Sequence, residues 1–145
     1  MVFLQVRDIM NQNVVSIEPG ESAALAARLL ARHNLGALPV CSSKGVLQGI
    51  VSDRDIVLRC VATEEDPSGL KVGEIMTRYP CAIAPEDDVR QAAQLMSSKQ
   101  IRRLPVVEQG HVVGMVSLGD LAKCGRYEME VSRALLDISE NIRQP

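Results

Sequence analysis

A chain of 145 residues with 46% hydrophobic side chains can bury a core, and with only 2% aromatics (Phe3, Tyr79, Tyr127, no Trp) that core must be aliphatic. The same shortage excludes the aromatic platforms on which single-strand nucleic-acid binders stack bases. With 16 Lys and Arg against 18 Asp and Glu, the net charge of -2 offers no global field to DNA or an anionic membrane, so any phosphate recognition has to be local.

The opening residues, Met1 to Arg7, meet charge too soon for a signal peptide, and no apolar run approaches the roughly 20 residues of a membrane span. A cytoplasmic address with neither nucleic-acid nor membrane partners is the expectation. Cys41, Cys60, Cys81 and Cys124 lack C-x-x-C spacing and read as buried thiols rather than disulfides or zinc ligands. His33 and His111 have no second ligand at metal spacing, so no metal site is expected.

In chain order, residues 6–10 read as a short helical turn and 14–17 as a strand closed by Pro19. Ser22 is a candidate N-cap for a helix running to about His33, with Leu25, Ala26, Leu29 and Leu30 on its apolar side. Strands 38–41 and 46–51 then pair through Ser42-Ser43-Lys44-Gly45, and a helix is expected over 53–62. The acidic, Pro- and Gly-punctuated stretch 63–69 is a break.

The same series then recurs. Val6, Ile9 and Met10 reappear as Val72, Ile75 and Met76 (72 − 6 = 66), and Leu38-Pro39-Val40 as Leu104-Pro105-Val106. Beyond Val106 the offset falls to 65 (114 − 49), which places a one-residue deletion in the Glu108-Gln109-Gly110 turn. The second copy therefore predicts a strand over 81–84, an Asp88-capped helix to about Lys99 carrying Val89, Ala92, Ala93 and Met96, strands 104–107 and 112–116, and a helix over 118–126. A terminal helix over 128–143 sets Met129, Ser132, Leu135, Leu136, Ser139 and Ile142 at helical spacing; that face needs a partner, either the body of the chain or a second copy. The division expected is 1–65 for the first repeat, 66–127 for the second and 128–145 for the helical tail.

Each repeat ends its third strand in the same way: Gly49-Ile50-Val51-Ser52-Asp53-Arg54-Asp55, and Gly114-Met115-Val116-Ser117-Leu118-Gly119-Asp120. A strand that delivers a hydroxyl and a carboxylate to the first turn of a helix has two readings. One is an ordinary capping box. In the other, the carboxylate accepts from both hydroxyls of a ribose, and charge-assisted bonds of this kind contribute on the order of 1.5 to 3 kcal/mol. A phosphate would then favour free amides at the helix start.

The doubled β-α-β-β-α order, with Leu-Pro-Val on the second strand and Gly-h-h-Ser-x-x-Asp on the third (h apolar), resembles a tandem cystathionine β-synthase (CBS) domain pair, or Bateman module, of the stand-alone bacterial type. The likeness covers the chain apart from the terminal helix. It implies an α+β fold of two β-α-β-β-α repeats packed with pseudo-twofold symmetry, plus a C-terminal helix, and commonly a homodimer. Family members bind adenosine-containing ligands, among them AMP, ADP, ATP, S-adenosylmethionine and sometimes NAD. Most do so to regulate an attached enzyme, channel or transporter, with no required cofactor.

Carried over residue by residue, the resemblance implies one site that joins Ser52, Arg54 and Asp55 to Cys81, Ala82, Ile101 and Arg102. A second would join Ser117 and Asp120 to Val15, Leu35, Gly36, Ala37, Met115 and Arg103. The first repeat carries Gly36 and Ala37 where the second carries Arg102 and Arg103, so the basic charge is one-sided and the two sites are expected to differ in preference for a phosphorylated ligand. Arg54 is open between a phosphate contact and a helix-surface ion pair. Met10 and Met76 read as core plugs. An enzyme is disfavoured by the lack of a Cys-His or Ser-His pair and of a phosphate-cradling glycine signature. The non-catalytic alternative is a structural dimerisation or partner-docking protein whose clefts stay empty.

Overall fold

Each repeat has a helix of eleven residues that starts at the expected cap. In the computed structural model, which describes residues 3–143, α2 (Ala23–His33) begins where the Ser22 hydroxyl accepts from Leu25 N at 3.1 Å. Helix α5 (Val89–Lys99) begins where the Asp88 carboxylate accepts from Arg90 N at 2.8 Å while the Gln91 side chain reaches back to Asp88 N. Both end on a non-glycine residue in the left-handed region, Asn34 (φ 54) and Gln100 (φ 55).

Strand β1 (Ala37–Cys41) pairs antiparallel with β2 (Leu47–Ser52), and β2 with the two-residue β3 (Thr77–Arg78). The second sheet is the hairpin β4 (Arg103–Glu108) and β5 (His111–Ser117). Its turn, Gln109-Gly110, has positive φ at both residues (51 and 83), the pattern of the tight primed turn that follows strand twist. The shorter turn explains the lost residue in the repeat offset.

The strands expected over 14–17 and 81–84 shrink to single parallel bridges, Ile17 with Val40 and Ile83 with Val106. Proline sets this limit. Ile17 N donates to Pro39 O at 3.1 Å and Cys41 N to Ile17 O at 2.9 Å, but the next donor in either direction would be Pro39 or Pro19, which have no N–H. Pro105 and Pro85 end the ladder in the same way at Ile83, whose own bonds run to Pro105 O and from Val107 N.

The helix expected over 53–62 is α3 (Asp53–Ile56) followed by a π-helical turn (Val57–Val61), in which Ala62 N reaches Val57 O at 2.8 Å. Its counterpart α6 (Leu118–Lys123) stops short of Arg126 because Gly125 turns left-handed (φ 68). Helix α7 (Glu128–Arg143) has the expected span.

Helix α7 leaves exposed three of the apolar residues picked out by spacing. Met129, Leu135 and Leu136 are 84%, 50% and 62% exposed, and the side chain of Ile142 lies outside the described residues. The packed face is Val131, Ala134 and Ile138, against a core that includes Ala92 and Ala93 of α5. Small residues on both helices allow the close approach that leucines would block. Asp137 fastens the contact by accepting from Ser97 Oγ, and its carbonyl accepts from Gln100 Nε2 at 2.8 Å.

The chain divides into two compact units, 15–80 with 110–112 and 1–14 with 81–109 and 113–145. These units exchange the leading turns of the two sequence repeats. Helix α1 (Val6–Ile9) puts Val6 into the core of Leu104, Val106, Val116 and Leu121, with Val6 N on Asp87 O at 2.8 Å. Helix α4 (Val72–Ile75) puts Val72, Ile75 and Met76 into the core of Leu38, Val40, Val51 and Ile56, with Val72 N on Glu21 O at 2.8 Å. Met76 is a buried plug as expected, and Met10 packs at the margin of the other core.

Candidate functional site

Both Ser-x-x-Asp stretches fold alike. β2 ends at Ser52, paired with Ala37 across the strand, and β5 ends at Ser117; each serine is the N-cap of the next helix. Ser52 Oγ accepts from Asp55 N at 3.0 Å while Asp55 Oδ2 accepts from Ser52 N at 2.9 Å. At Ser117 and Asp120 the same two bonds are 3.1 and 2.8 Å. Both capping boxes are therefore formed, and each carboxylate spends one oxygen on its own helix.

The second oxygen separates the two copies. Asp55 Oδ1 faces Arg59 Nη1 at 3.8 Å, and the same guanidinium donates to Ile75 O at 2.9 Å. Arg59 was missed by the sequence reading, although its i, i+4 spacing from Asp55 was a visible signal. At the matching position the second repeat has Cys124, whose thiol donates to Asp120 O at 3.4 Å. Asp120 Oδ1 accordingly has no partner among the described residues.

The expectation of free amides for a phosphate fails at α3. Asp53 N donates to Gly36 O at 3.0 Å, Arg54 N to the Asp53 carboxylate at 2.7 Å and Asp55 N to Ser52, so the first turn is already satisfied. In α6 Leu118 N is taken by Arg102 O at 2.8 Å and Asp120 N by Ser117. At each helix start a carbonyl from the segment before the preceding hairpin and one or more short local side chains fill these positions before any ligand can.

The remaining predicted residues sort by unit. Val15, Leu35, Gly36 and Ala37, all half-buried, share a unit with Ser52, Arg54 and Asp55, and Gly36 touches that group through its carbonyl. Half-buried Cys81, Ile101 and Met115 share the other unit with Ser117 and Asp120, as do exposed Ala82, Arg102 and Arg103. Met115 is held by reciprocal backbone bonds with Asn11, at 2.8 and 3.0 Å. Arg54 is exposed, and neither an ion pair nor a side-chain hydrogen bond fixes it among the described residues.

Two open cavities lie in the unit of 15–80. One, of about 610 Å³, is flanked by Lys71, Met76, Arg78 and the 95% exposed Tyr79; the other, of about 400 Å³, by Glu18, Glu21, Leu29 and Cys41. Burial pushes the Cys41 thiol up from its ordinary value. Among the described residues no cluster of His, Cys, Asp and Glu could hold a metal ion, and no helix is long and apolar enough to cross a membrane.

With this geometry in hand, comparison with known proteins is decisive for the family. The model of the CBS domain matches twice, over residues 6–61 and 72–126. The chain belongs to the CBS domain family. Among its relatives is the CBS domain-containing protein YhcV of Bacillus subtilis, 40% identical over 134 residues, which cover 92% of this chain and 94% of that one. Among solved structures, the CBS domain pair of protein MJ0100 in complex with 5′-methylthioadenosine and S-adenosyl-L-methionine matches with a TM-score of 0.77 at 29% identity, covering 86% of this chain and 97% of that one. A hexameric CBS-CP12 protein from bloom-forming cyanobacteria matches with a TM-score of 0.76 at 32% identity, over 88% of this chain and 75% of that one. Two CBS repeats of mixed helix and strand make up the chain, and its CBS pair neighbours include proteins with bound adenosine derivatives and a hexamer.

Proposed function

We propose that the protein is a non-catalytic regulatory module that binds an adenosine derivative, such as AMP, ADP, ATP or a sulfonium nucleoside, and that Asp120 is its principal ribose contact. The observation that carries this reading is the second oxygen of Asp120, which projects from a half-buried side chain with no partner among the described residues. A ribose hydroxyl supplies the donor it lacks, without breaking the cap. Ser117 supports the site, because its oxygen accepts from Asp120 N while its own proton has no acceptor among the described residues. The adenosine derivatives bound to the MJ0100 pair support the ligand class.

Asp55 is the weaker of the two carboxylates in this reading, since a ligand there must displace or share Arg59. Arg102 and Arg103, both exposed, supply the cationic side for a phosphate, since the amides of Leu118 and Asp120 at the start of α6 are already bonded. Cys81, Ala82, Ile101 and Met115 are assigned to the base and sugar as apolar or backbone contacts within the unit of Asp120, and Val15, Leu35, Gly36 and Ala37 to the same role within the unit of Asp55. We also assign self-association to the protein, and a cytoplasmic setting supported by its four free thiols.

Thermal shift with AMP, ATP, S-adenosylmethionine and 5′-methylthioadenosine tests the ligand reading. At least one should raise the Tm of the wild type and lose most of that effect in Asp120→Asn. A wild type that responds to none of them, or an Asp120→Asn variant that responds fully, overturns it.

A further inference from the structure

The two compact units are closed differently at their short leading helices. Beside α1, Arg7 N donates to Pro85 O at 2.9 Å and the Arg7 guanidinium lies 3.7 Å from the Glu86 carboxylate, so an ion pair stands over that corner. Beside α4 the same backbone bond recurs, from Gly73 N to Pro19 O at 2.9 Å, but both side chains are gone: Gly73 stands in the place of Arg7 and Gly20 in that of Glu86. The cavity of about 610 Å³ opens here, lined by Gly73 and Pro19 and lying wholly within the unit of 15–80.

Its lining differs from the matching residues of the other repeat in chemistry as well as in space. Lys71, Arg78 and Tyr79 occupy the positions that Gln5, Gln12 and Asn13 hold there, so three neutral amides are exchanged for two cations and a ring, in a chain with two Tyr, one Phe and no Trp. Arg78 Nη2 reaches Gly73 O at 3.4 Å, which carries its guanidinium from β3 across to α4 and leaves its other donors unused among the described residues. Lys71, at the N-cap of α4, has no ion pair among the described residues, and Glu74, the acid that lines the cavity, turns a carboxylate oxygen back to Lys71 N at 2.9 Å.

Tyr79 is 95% exposed and holds its φ at 52, a left-handed conformation that bulky residues rarely adopt. The repeat does not impose it, because Asn13, of a type better suited to that region, does not have a positive φ. An exposed ring on a strained backbone, beside two cations with donors to spare and an apolar side of Pro19, Leu47 and Met76, has the make-up of a recognition site rather than of a folding element.

The geometry points to a second ligand site in this cavity, for a small planar ring that carries a phosphate or a carboxylate. The ring stacks on Tyr79, and the anion lies between Lys71 and the Arg78 fork. The site is separate from the adenosine site proposed above and does not rest on it. Gln48, which lines the cavity, and Ser52 lie towards opposite ends of β2, about 13 Å apart at strand rise, and none of Ser52, Asp55, Ser117 and Asp120 lines the cavity.

Equilibrium dialysis of the full chain against phenyl phosphate, benzoate, inorganic phosphate and phenol tests it. At least one of the two ring anions should bind ten times more tightly than inorganic phosphate and than phenol, and which of them does so tells the phosphate from the carboxylate. Lys71→Gln and Arg78→Gln, which install the residues of the other repeat at exposed positions, should each weaken that ring anion at least fivefold with an unchanged circular dichroism spectrum. Tyr79→Asn should weaken it as much while leaving inorganic phosphate unaffected. A wild type that prefers neither ring anion overturns the site, as does ring-anion binding that survives either Tyr79→Asn or the paired Lys71→Gln, Arg78→Gln variant. Binding that is kept in the paired variant and lost in Asp120→Asn belongs to the adenosine site and overturns this one, whereas failure of the adenosine reading leaves the result here unchanged.

Discussion

Met76 lies over Gly49 so closely that a methyl group on the glycine would come within 2.6 Å of its Sδ and 2.8 Å of Thr77 O. Gly114 and Met10 repeat the relationship at 2.6 Å, but the nearest backbone atom there, Asn11 O, is 3.2 Å away. These glycines let the leading turn of one repeat seat against a strand of the other. Gly49→Ala meets a backbone carbonyl that cannot step aside and should destabilise the protein by about 2 to 3 kcal/mol; Gly114→Ala, where the methionine can yield, should cost about 1 kcal/mol. Denaturant unfolding should resolve the order, and equal midpoints for the two variants would contradict it.

That exchange of leading turns shows how far the sequence could be read. Ser22 and Asp88 placed two helix starts, and the repeat offset placed both hairpins but not the two-residue β3, because capping and period-2 alternation are local properties while β3 pairs only through its contact with β2. The offset could not reveal that α1 packs with the core of the second repeat, since a repeat fixes what recurs and not which copy it joins. The strands at Ile17 and Ile83 were overestimated because Pro39 and Pro105, which lack the N–H that would extend each ladder backwards, sit on the neighbouring strand and not on the segment itself. On α7, spacing chose Met129 and Leu136, while Ala134 won by being small. At the candidate site, both Ser-x-x-Asp stretches were legible. The difference between Asp55 and Asp120 was not, because it depends on Arg59 reaching the carbonyls of Ile75 and Met76, residues remote in sequence.

That difference separates the capping role of the carboxylates from a ligand role. Asparagine can still accept from the serine amide, so Asp120→Asn and Asp55→Asn should each leave the ligand-free Tm within about 0.5 kcal/mol of the wild type in stability. Asp→Ala breaks the box and should cost about 1 kcal/mol at either position. Ligand binding should fall about tenfold or more in Asp120→Asn, and less in Asp55→Asn. Calorimetry showing equal losses would mean that Arg59 does not compete for Asp55.

The four thiols should react in two classes. Cys41 and Cys60 are buried, and burial raises the Cys41 pKa, while Cys81 and Cys124 are half-buried. Because the thiolate is the reactive form, a native-state titration with an aromatic disulfide reagent should label two thiols at least tenfold faster than the other two, with all four equivalent in denaturant. The raised Cys41 pKa contributes stability that is fully present below the unfolded thiol value and is lost as pH rises through the folded one, so Cys41→Ser should flatten part of the alkaline decline. Peptide mapping that finds Cys41 labelled first would refute the assignment.

The cap of α5 should make its repeat sensitive to acid where its counterpart is not. Arg90 donates to Asp88 through its side chain and its amide, and these bonds hold the Asp88 carboxyl below the usual carboxylate range. The guanidinium also sits 4.9 Å from the Phe3 ring, which ties the cap to the N-terminal segment. A carboxylate with a depressed folded pKa contributes stability that is present above its unfolded value, and that stability is lost as pH falls through the folded one. Ser22, the equivalent cap of α2, does not titrate. Asp88→Ser should therefore cost less than about 1 kcal/mol near pH 7, and the gap from the wild type should close or reverse below about pH 4. Urea unfolding at a series of pH values reads this directly, and a gap that persists unchanged into acid would show that the carboxylate charge plays no part in the cap.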